Sequence, residues 1–229
     1  MRRSLAAHME AAAGRGQVVT AVTATHRHEE HVGNLEWAAH RSGAPVMLTQ
    51  EAADRLHPPA PIPKVRTAVI GQPPSLRGRI VDSSAGIRVS GGRLEVLPAP
   101  GHSLDQMVLW DPDERVLLAG DAFMGAYFSS PNPDVDSRAW MATLQRPLDL
   151  DVAVMAEGHG HVYTLRRDAP EIPGVVQRTD PRQAIERKLE FLAWLDTRIA
   201  EARADGRTDN ADVAACLPGA PLELATASR

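Results

Sequence analysis

The first third of the chain alternates helical and extended apolar patterns. Alanine and apolar positions over residues 4–13 predict a helix, and the continuous β-branched run 18–24 predicts a buried strand. A helical stripe over 35–42, a short strand at 46–49 and a helix over 50–57 follow. This αβαβα order favours parallel strands covered by helices.

The pattern becomes rich in strands after residue 78. Short apolar runs separated by turn residues predict antiparallel hairpins, at 80–81, 86–89, 94–97 and 107–110. Strands at 116–120 and 152–156 flank a predicted helix over 138–146. Asp180 and Pro181 start a long last helix whose apolar positions step by three and four, so we expect one of its faces to be covered.

The composition excludes several classes of function. The 229-residue chain is 43% hydrophobic and 24% charged, as in ordinary soluble globular proteins, and its net charge of -4 provides no basic surface for nucleic acid. The single cysteine, Cys216, excludes an intrachain disulfide and favours a reducing, cytoplasmic location. No segment reaches the roughly 18 uninterrupted apolar residues of a membrane-spanning helix.

The densest candidate chemistry directly follows the first predicted strand. Three imidazoles and two carboxylates lie within residues 26–31. On an extended backbone His26 and His28 point to the same side, while Glu30 and His31 come from the turn that follows. Imidazoles and carboxylates are ligands that suit zinc or iron. A His-rich surface loop is the alternative, but the position at the end of a buried strand favours a metal site.

Three later motifs repeat a polar ligand type beside glycine at the end of an apolar strand. They are Pro-Gly-His-Ser at 100–103, Gly-Asp at 120–121 and Gly-His-Gly at 158–160. Glycine lets the backbone approach closely and take conformations that a side chain forbids. Each motif alone is a weak signal, whereas four such sites in one chain are a stronger one.

In their order and spacing, these motifs resemble those of the metallo-β-lactamase-fold hydrolases over about residues 17–163. The resemblance implies an α/β fold, a four-layer αββα sandwich with the metal site at one edge of its two sheets. The family normally has several strands before the helix that leads to its His motif, and this chain starts near that helix. We therefore expect a first sheet that is incomplete at the N-terminus, in a domain over 1–167, with a Pro-rich connection and helical extension over 168–229.

The resemblance also implies a centre with two divalent metal ions, zinc first and iron or manganese as alternatives. By position, one ion would be held by His26, His28 and His102 and the other by Glu30, His31 and His159, with Asp121 bridging the two. Glu30 would be the catalytic residue, because it would orient a metal-bridging hydroxide or take up its proton. His161 is the alternative to His159 as the last ligand, since both lie in one turn.

One ligand departs from the family pattern. Glu30 stands where the family usually has aspartate, and its extra methylene could weaken the second metal site or favour a single metal. The candidate substrate-binding residues follow the ligand motifs closely; they are Tyr127, Phe128, His161 and Tyr163. Aromatic residues in such loops cover the core about as often, so this assignment is an expectation from position alone.

These features predict a metal-dependent hydrolase of a small-molecule ester, thioester or lactone, similar to hydroxyacylglutathione hydrolases, lactonases or β-lactamases. The first alternative is an oxidoreductase resembling the persulfide dioxygenases, with one iron held by His26 or His28 together with His102 and Asp121. The second alternative is a truncated, inactive or partner-dependent member of the fold. The last helix or the open sheet edge could pair two copies as a homodimer.

Overall fold

The computed structural model describes residues 2–58, 75–126, 135–169, 171–172 and 174–209 of the chain. It divides into two compact units. The first unit comprises Met1–Pro98 and Asp105–Asp113, and the second comprises Ala99–Leu104 and Glu114–Arg229. Among the described residues, no helix combines the length and the apolar character that a membrane crossing demands.

The first unit contains the three helices that the sequence predicts and, in place of the predicted turn after His28, one further short helix. They are α1 (Arg2–Gly14), α2 (Glu29–Val32), α3 (Leu35–Ser42) and α4 (Gln50–Leu56). Helix α1 buries none of its residues, whereas α3 and α4 each bury a narrow apolar stripe. Gly43 ends α3 in the left-handed conformation, and the Thr49 side chain caps α4 by accepting a hydrogen bond from Ala52 N at 3.2 Å.

The strands of the first unit form a parallel pair and an antiparallel meander. They are β1 (Met47–Leu48), β2 (Arg79–Ile80), β3 (Ile87–Val89), β4 (Gly92–Pro98) and β5 (Met107–Asp111). The predicted antiparallel hairpins are confirmed for β3, β4 and β5. The prediction is wrong for β2, which pairs in parallel with β1. Helix α4 lies between β1 and β2 in the chain, and a crossover of this length brings the second strand back in the same direction.

The predicted buried strand over 18–24 is wrong. The only bridge of this run in the described chain joins Val22 to Val46, and Val18 is 82% exposed. Val22 N donates to Pro45 O at 3.0 Å and Met47 N donates to Val22 O at 2.8 Å. β-Branched residues favour extended backbone, but a strand also needs a continuous ladder of partners, and the ladder here ends after one step.

Among the described residues of the first unit, two apolar clusters form the core. One lies around Val32, Leu35, Leu48, Ala52 and Leu56, where α2, α3 and α4 cover β1. The other lies on the antiparallel meander, around Ile87, Val96, Met107 and Leu109. Residues of the run 18–24 pack against both clusters, Val22 on the first and Ala21 on the second, so this run is fixed by its side chains although it forms no regular strand.

Where the structure describes it, the second unit contains one sheet segment and two α-helices. Its strands are β6 (Val116–Gly120), β7 (Val154–Glu157), β8 (Val162–Thr164) and β9 (Val176–Gln177). Strand β7 pairs in parallel with β6 and antiparallel with β8, and β9 pairs in parallel with β8. Helix α5 (Ser137–Gln145) begins at Asp136, whose carboxylate accepts from Arg138 N and Ala139 N, and leads into a 3-10 turn, Arg146–Asp149.

The long last helix, α6 (Pro181–Ala204), is confirmed as the sequence predicts it. Asp180 caps its N-terminus by accepting from Arg182 N at 2.9 Å. Its buried residues include the expected apolar positions Ile185 and Leu192. They also include Lys188, which is fully buried although lysine is rarely found in a core.

Candidate metal centre

Three histidines converge in the first unit, and we call His26, His28 and His31 the histidine cluster. His26 and His28 are 1% and 3% exposed. His26 Nε2 lies 2.9 Å from His28 Nδ1, and the His31 ring centroid is 4.2 Å from that of His26. His28 is the residue before α2 and His31 lies in its last turn, so one short helix brings the three rings together.

A buried carboxylate fixes the backbone of the histidine cluster. Arg27 N donates to Asp105 Oδ2 at 2.8 Å, and Arg27 Nε lies 3.6 Å from Asp105 Oδ1. Met107 N donates to Thr25 O at 2.8 Å on the same side. Because Asp105 contacts both the backbone N–H and the guanidinium of Arg27, it fixes the residue that lies between His26 and His28. Asp105 has no local signal in the sequence beyond its position two residues after Ser103.

Glu30, the predicted catalytic residue, is the second residue of α2. Its Oε2 atom is buried and, within the described residues, has no hydrogen-bond partner. A buried carboxylate oxygen without a donor is unfavourable, and a cation is one group that relieves it. The glutamate side chain at this position therefore fits a metal ligand.

The second unit brings together His102, Asp121 and His159, which we call the aspartate cluster. Asp121 Oδ2 lies 3.4 Å from His102 Nε2 and 3.1 Å from His159 Nε2. Asp121 and His102 are buried, whereas the His159 side chain is 51% exposed. The three residues come from three separate glycine turns, at 100–103, 120–121 and 158–160, as the motifs suggested.

Trp140 supports two of these turns from helix α5. Its indole Nε1 donates to Ala122 O at 2.7 Å, and its ring lies 5.7 Å from the His102 ring. Gly101 packs directly on it, since a Cβ at Gly101 would lie 2.3 Å from Trp140 Cα. Thr143 Oγ1 also donates to Pro100 O, at 2.6 Å. Sequence reasoning missed Trp140, whose only signal is its place on the apolar stripe of α5.

His161 lies in the same turn as His159 but has a different partner. Its Nδ1 atom lies 2.5 Å from Glu157 Oε1, whereas His159 contacts Asp121. Tyr163, a predicted substrate-binding residue, packs edge-on against Phe123 with ring centroids 5.1 Å apart. Burial raises the pKa of the Tyr163 hydroxyl to about 12, and the charge of Glu157 adds to the rise. The predicted residues Tyr127 and Phe128 lie outside the described residues.

The sequence match is to the metallo-beta-lactamase superfamily, whose family model covers residues 2–159. The chain belongs to this superfamily. The matched span contains the histidine cluster and all three residues of the aspartate cluster. The predicted family and its mixed α/β fold are confirmed.

Curated relatives of this superfamily member include two hydrolases. Hydroxyacylglutathione hydrolase from Methylobacterium sp. (strain 4-46) is 26% identical over 82% of this chain and 68% of its own length. Atrochrysone carboxyl ACP thioesterase AgnL7 from Paecilomyces divaricatus is 26% identical over 72% of this chain and 46% of its own length. The chain spans about half the length of several curated relatives that it matches.

Among solved structures, the fold is similar to the crystal structure of TTHA1623 in a di-iron-bound form. The identity is 25% and the TM-score 0.57, over 72% of this chain and 80% of that one. In this chain, the imidazole nitrogens of the histidine cluster and the imidazole and carboxylate donors of the aspartate cluster are of kinds that could hold a metal ion.

Proposed function

We propose that this protein is a metal-dependent hydrolase of small-molecule esters, thioesters or lactones. The observation that carries the proposal is the aspartate cluster, in which two imidazole nitrogens lie within 3.4 Å of one carboxylate oxygen of Asp121. Three turns distant in sequence supply these atoms, in a chain that belongs to the metallo-beta-lactamase superfamily. Packing alone does not require a buried aspartate between two histidines.

The donors fit divalent metal ions. Imidazole nitrogens and carboxylate oxygens without cysteine suit zinc, iron or manganese, and the buried Oε2 of Glu30 needs a positive partner. Following the family pattern, we assign one ion to His26, His28 and His102, a second to Glu30, His31 and His159, and Asp121 to both. The extra methylene of Glu30 makes the second ion the weaker one in this proposal.

Bound divalent ions lower the pKa of a coordinated water and polarise the carbonyl of the substrate. Glu30 is the residue that we propose to orient this water and to take up its proton. The water oxygen bonds to the acyl carbon, the bond from that carbon to the alcohol or thiol breaks, and the leaving group receives a proton. Half-exposed His159 lies on the open side of the aspartate cluster, where a substrate could approach.

Acyl thioesters are the first substrates to test. The two relatives named above are a hydrolase of hydroxyacylglutathione and a carrier-protein thioesterase. Both names indicate an acyl group as the part that is released. We propose the same bond class for this chain and leave its acyl and thiol parts to a substrate panel.

The test measures metal content and turnover together. Elemental analysis of the purified protein should find about two transition-metal ions per chain. The double variant His26→Ala, His102→Ala should lose the metal, and its thioesterase or lactonase activity should fall by more than about 100-fold. His40→Ala is the matched control, because His40 is exposed near the end of α3 and should change neither quantity. Full activity in a metal-free preparation would contradict the proposal.

The second candidate function is an oxidoreductase with a single iron. The observation that favours it is Glu30, whose longer side chain could leave the second metal position unfilled. One iron per chain and oxygen consumption with a persulfide, without esterase turnover, would support this candidate over the hydrolase.

A further inference from the structure

A buried carboxylate lies between two turns of the aspartate cluster. Glu157 is the last residue of β7, and its side chain is only 2% exposed. One oxygen, Oε2, accepts a hydrogen bond from Gly125 N at 2.7 Å, and the other, Oε1, lies 2.5 Å from His161 Nδ1. Both oxygens therefore have donors, as a buried carboxylate requires.

The two donors belong to the segments that carry metal-ligand candidates. Gly125 ends the turn that starts at Asp121, directly after β6. His161 ends the turn that contains His159, directly after β7. Gly158 N also donates to Gly120 O at 2.9 Å, so the two turns run side by side. Glu157 thus joins the far ends of both turns, while Asp121 and His159 meet near their beginnings.

A buried cation accompanies this carboxylate. Lys188 on α6 is fully buried, and its Nζ has no hydrogen-bond partner among the described residues. Nζ lies 4.8 Å from the centre of the Trp140 ring, within range of a cation–π contact. Burial lowers the pKa of the Lys188 amine to about 7, and the negative charge of Glu157 opposes this effect. Lys188 therefore lies within electrostatic range of Glu157 and next to the tryptophan that supports His102.

We propose that Glu157 is a positioning residue for the metal centre, which clamps the Asp121 turn through Gly125 N and the His159 turn through His161 Nδ1. This inference rests on one part of the proposed function, namely that Asp121 and His159 bind a metal ion. The clamp adds a connection at the far ends of the two turns to the Gly158 N–Gly120 O hydrogen bond near their beginnings. A backbone donor and a side-chain donor on one buried carboxylate give a defined geometry that a salt bridge on the surface does not.

The role is one of geometry, so it predicts different outcomes for two substitutions. Glu157→Gln keeps an acceptor for Gly125 N and places an amide group at His161, whereas Glu157→Ala removes both contacts. Zinc affinity, measured by competition with a chromophoric chelator, should fall about tenfold or more in Glu157→Ala and stay near the wild-type value in Glu157→Gln. The Co²⁺ absorption spectrum should change in Glu157→Ala and be retained in Glu157→Gln.

The matched control is Glu171→Ala, the same substitution in the same unit at a side chain that is 91% exposed. It should leave zinc affinity and the Co²⁺ spectrum unchanged. Wild-type protein that binds no zinc would contradict the proposed function itself. A folded Glu157→Ala variant with the zinc affinity and Co²⁺ spectrum of the wild type would overturn only the role of Glu157. Equal losses of zinc affinity in Glu157→Ala and Glu157→Gln would overturn it as well.

A second pair of variants decides the matter if Glu157→Ala does not fold. His161 is 44% exposed, so His161→Ala should fold and break one arm of the clamp, with zinc affinity several-fold weaker. His161→Asn places an amide nitrogen where the imidazole Nδ1 lies and should restore most of the affinity. Unchanged zinc affinity in His161→Ala would overturn the proposal. Loss of one bound metal ion per chain in His161→Asn would also overturn it, because His161 would then itself be a metal ligand.

Discussion

The histidine cluster takes its imidazoles from neighbouring positions of one segment, whereas the aspartate cluster takes its residues from three turns far apart in the chain. In the first, the segment directly before α2 and the single turn of α2 bring His26, His28 and His31 together, and Asp105 fixes that segment through Arg27. In the second, Trp140 and Glu157 support the turns from two different elements. Local geometry can therefore build the first cluster, but the second depends on packing.

The buried charges of the two units differ in the same way. In the first unit the carboxylate of Asp105 has the guanidinium of Arg27 beside it and accepts its backbone N–H. In the second unit Lys188 lies over the Trp140 ring and interacts with Glu157 through space. Burial disfavours the ammonium form of Lys188, whereas the guanidinium of Arg27 stays charged beside Asp105.

The largest effect should come from Trp140→Ala, which removes the common support of two turns of the aspartate cluster. Trp140 is fully buried, so we expect a loss of about 3–5 kcal/mol in the free energy of unfolding of the metal-free protein. Urea denaturation followed by circular dichroism measures it. Trp37→Ala in the first unit is the control and should lose about 1 kcal/mol or less, because Trp37 is partly exposed and contacts Arg41. Similar losses in both variants would remove the distinction between the clusters.

A smaller effect should come from Asp105→Ala in the first unit. It leaves the half-buried Arg27 N–H without its acceptor, and we expect a loss of about 1–3 kcal/mol in stability. Zinc affinity should also weaken, by about tenfold, because His26 and His28 lose the contact that directs them. Asp113→Ala, at an exposed position of the same unit, is the control for both measurements. Wild-type zinc affinity in Asp105→Ala would show that the histidine cluster needs no support from behind.

The smallest effect should be a difference in pH dependence between wild type and Lys188→Met. The pKa of Lys188 is about 7 in the folded protein, against 10.5 for an ordinary lysine, so between these values the unfolded chain binds a proton that the folded protein lacks. Wild-type stability should therefore rise with pH above about 7, by at most about 1.4 kcal/mol per pH unit, relative to the variant. Urea denaturation of metal-free protein at pH 7, 8 and 9 tests this.

Arg187→Met is the control for this comparison, since Arg187 is the exposed neighbour of Lys188 on α6. It should keep the pH dependence of the wild type. Parallel pH profiles for wild type and Lys188→Met would show that Lys188 has an ordinary pKa, and the contrast between the buried charges of the two units would then disappear.

Most helices could be predicted from the sequence because capping residues and end glycines mark their boundaries locally. Asp136 and Asp180 cap α5 and α6, and Gly43 ends α3. The failures are in strands. The run 18–24 has the composition of a buried strand, but among the described residues it forms a single bridge to another segment. Strand β2 pairs with β1, and helix α4 lies between these two strands in the chain. Strand pairing depends on distant segments, and composition does not specify it.

For the candidate site, sequence alone determined the donor types and the glycine turns that present them. His26 and His28 lie two positions apart in the chain, and His102, Asp121 and His159 each adjoin a glycine that permits a tight turn. Only the tertiary structure decided that His159 contacts Asp121 while His161 contacts Glu157, although both histidines share one turn. It also decided that Trp140, Glu157 and Lys188 lie behind the aspartate cluster, because burial and hydrogen bonding between distant elements leave no local pattern in the chain.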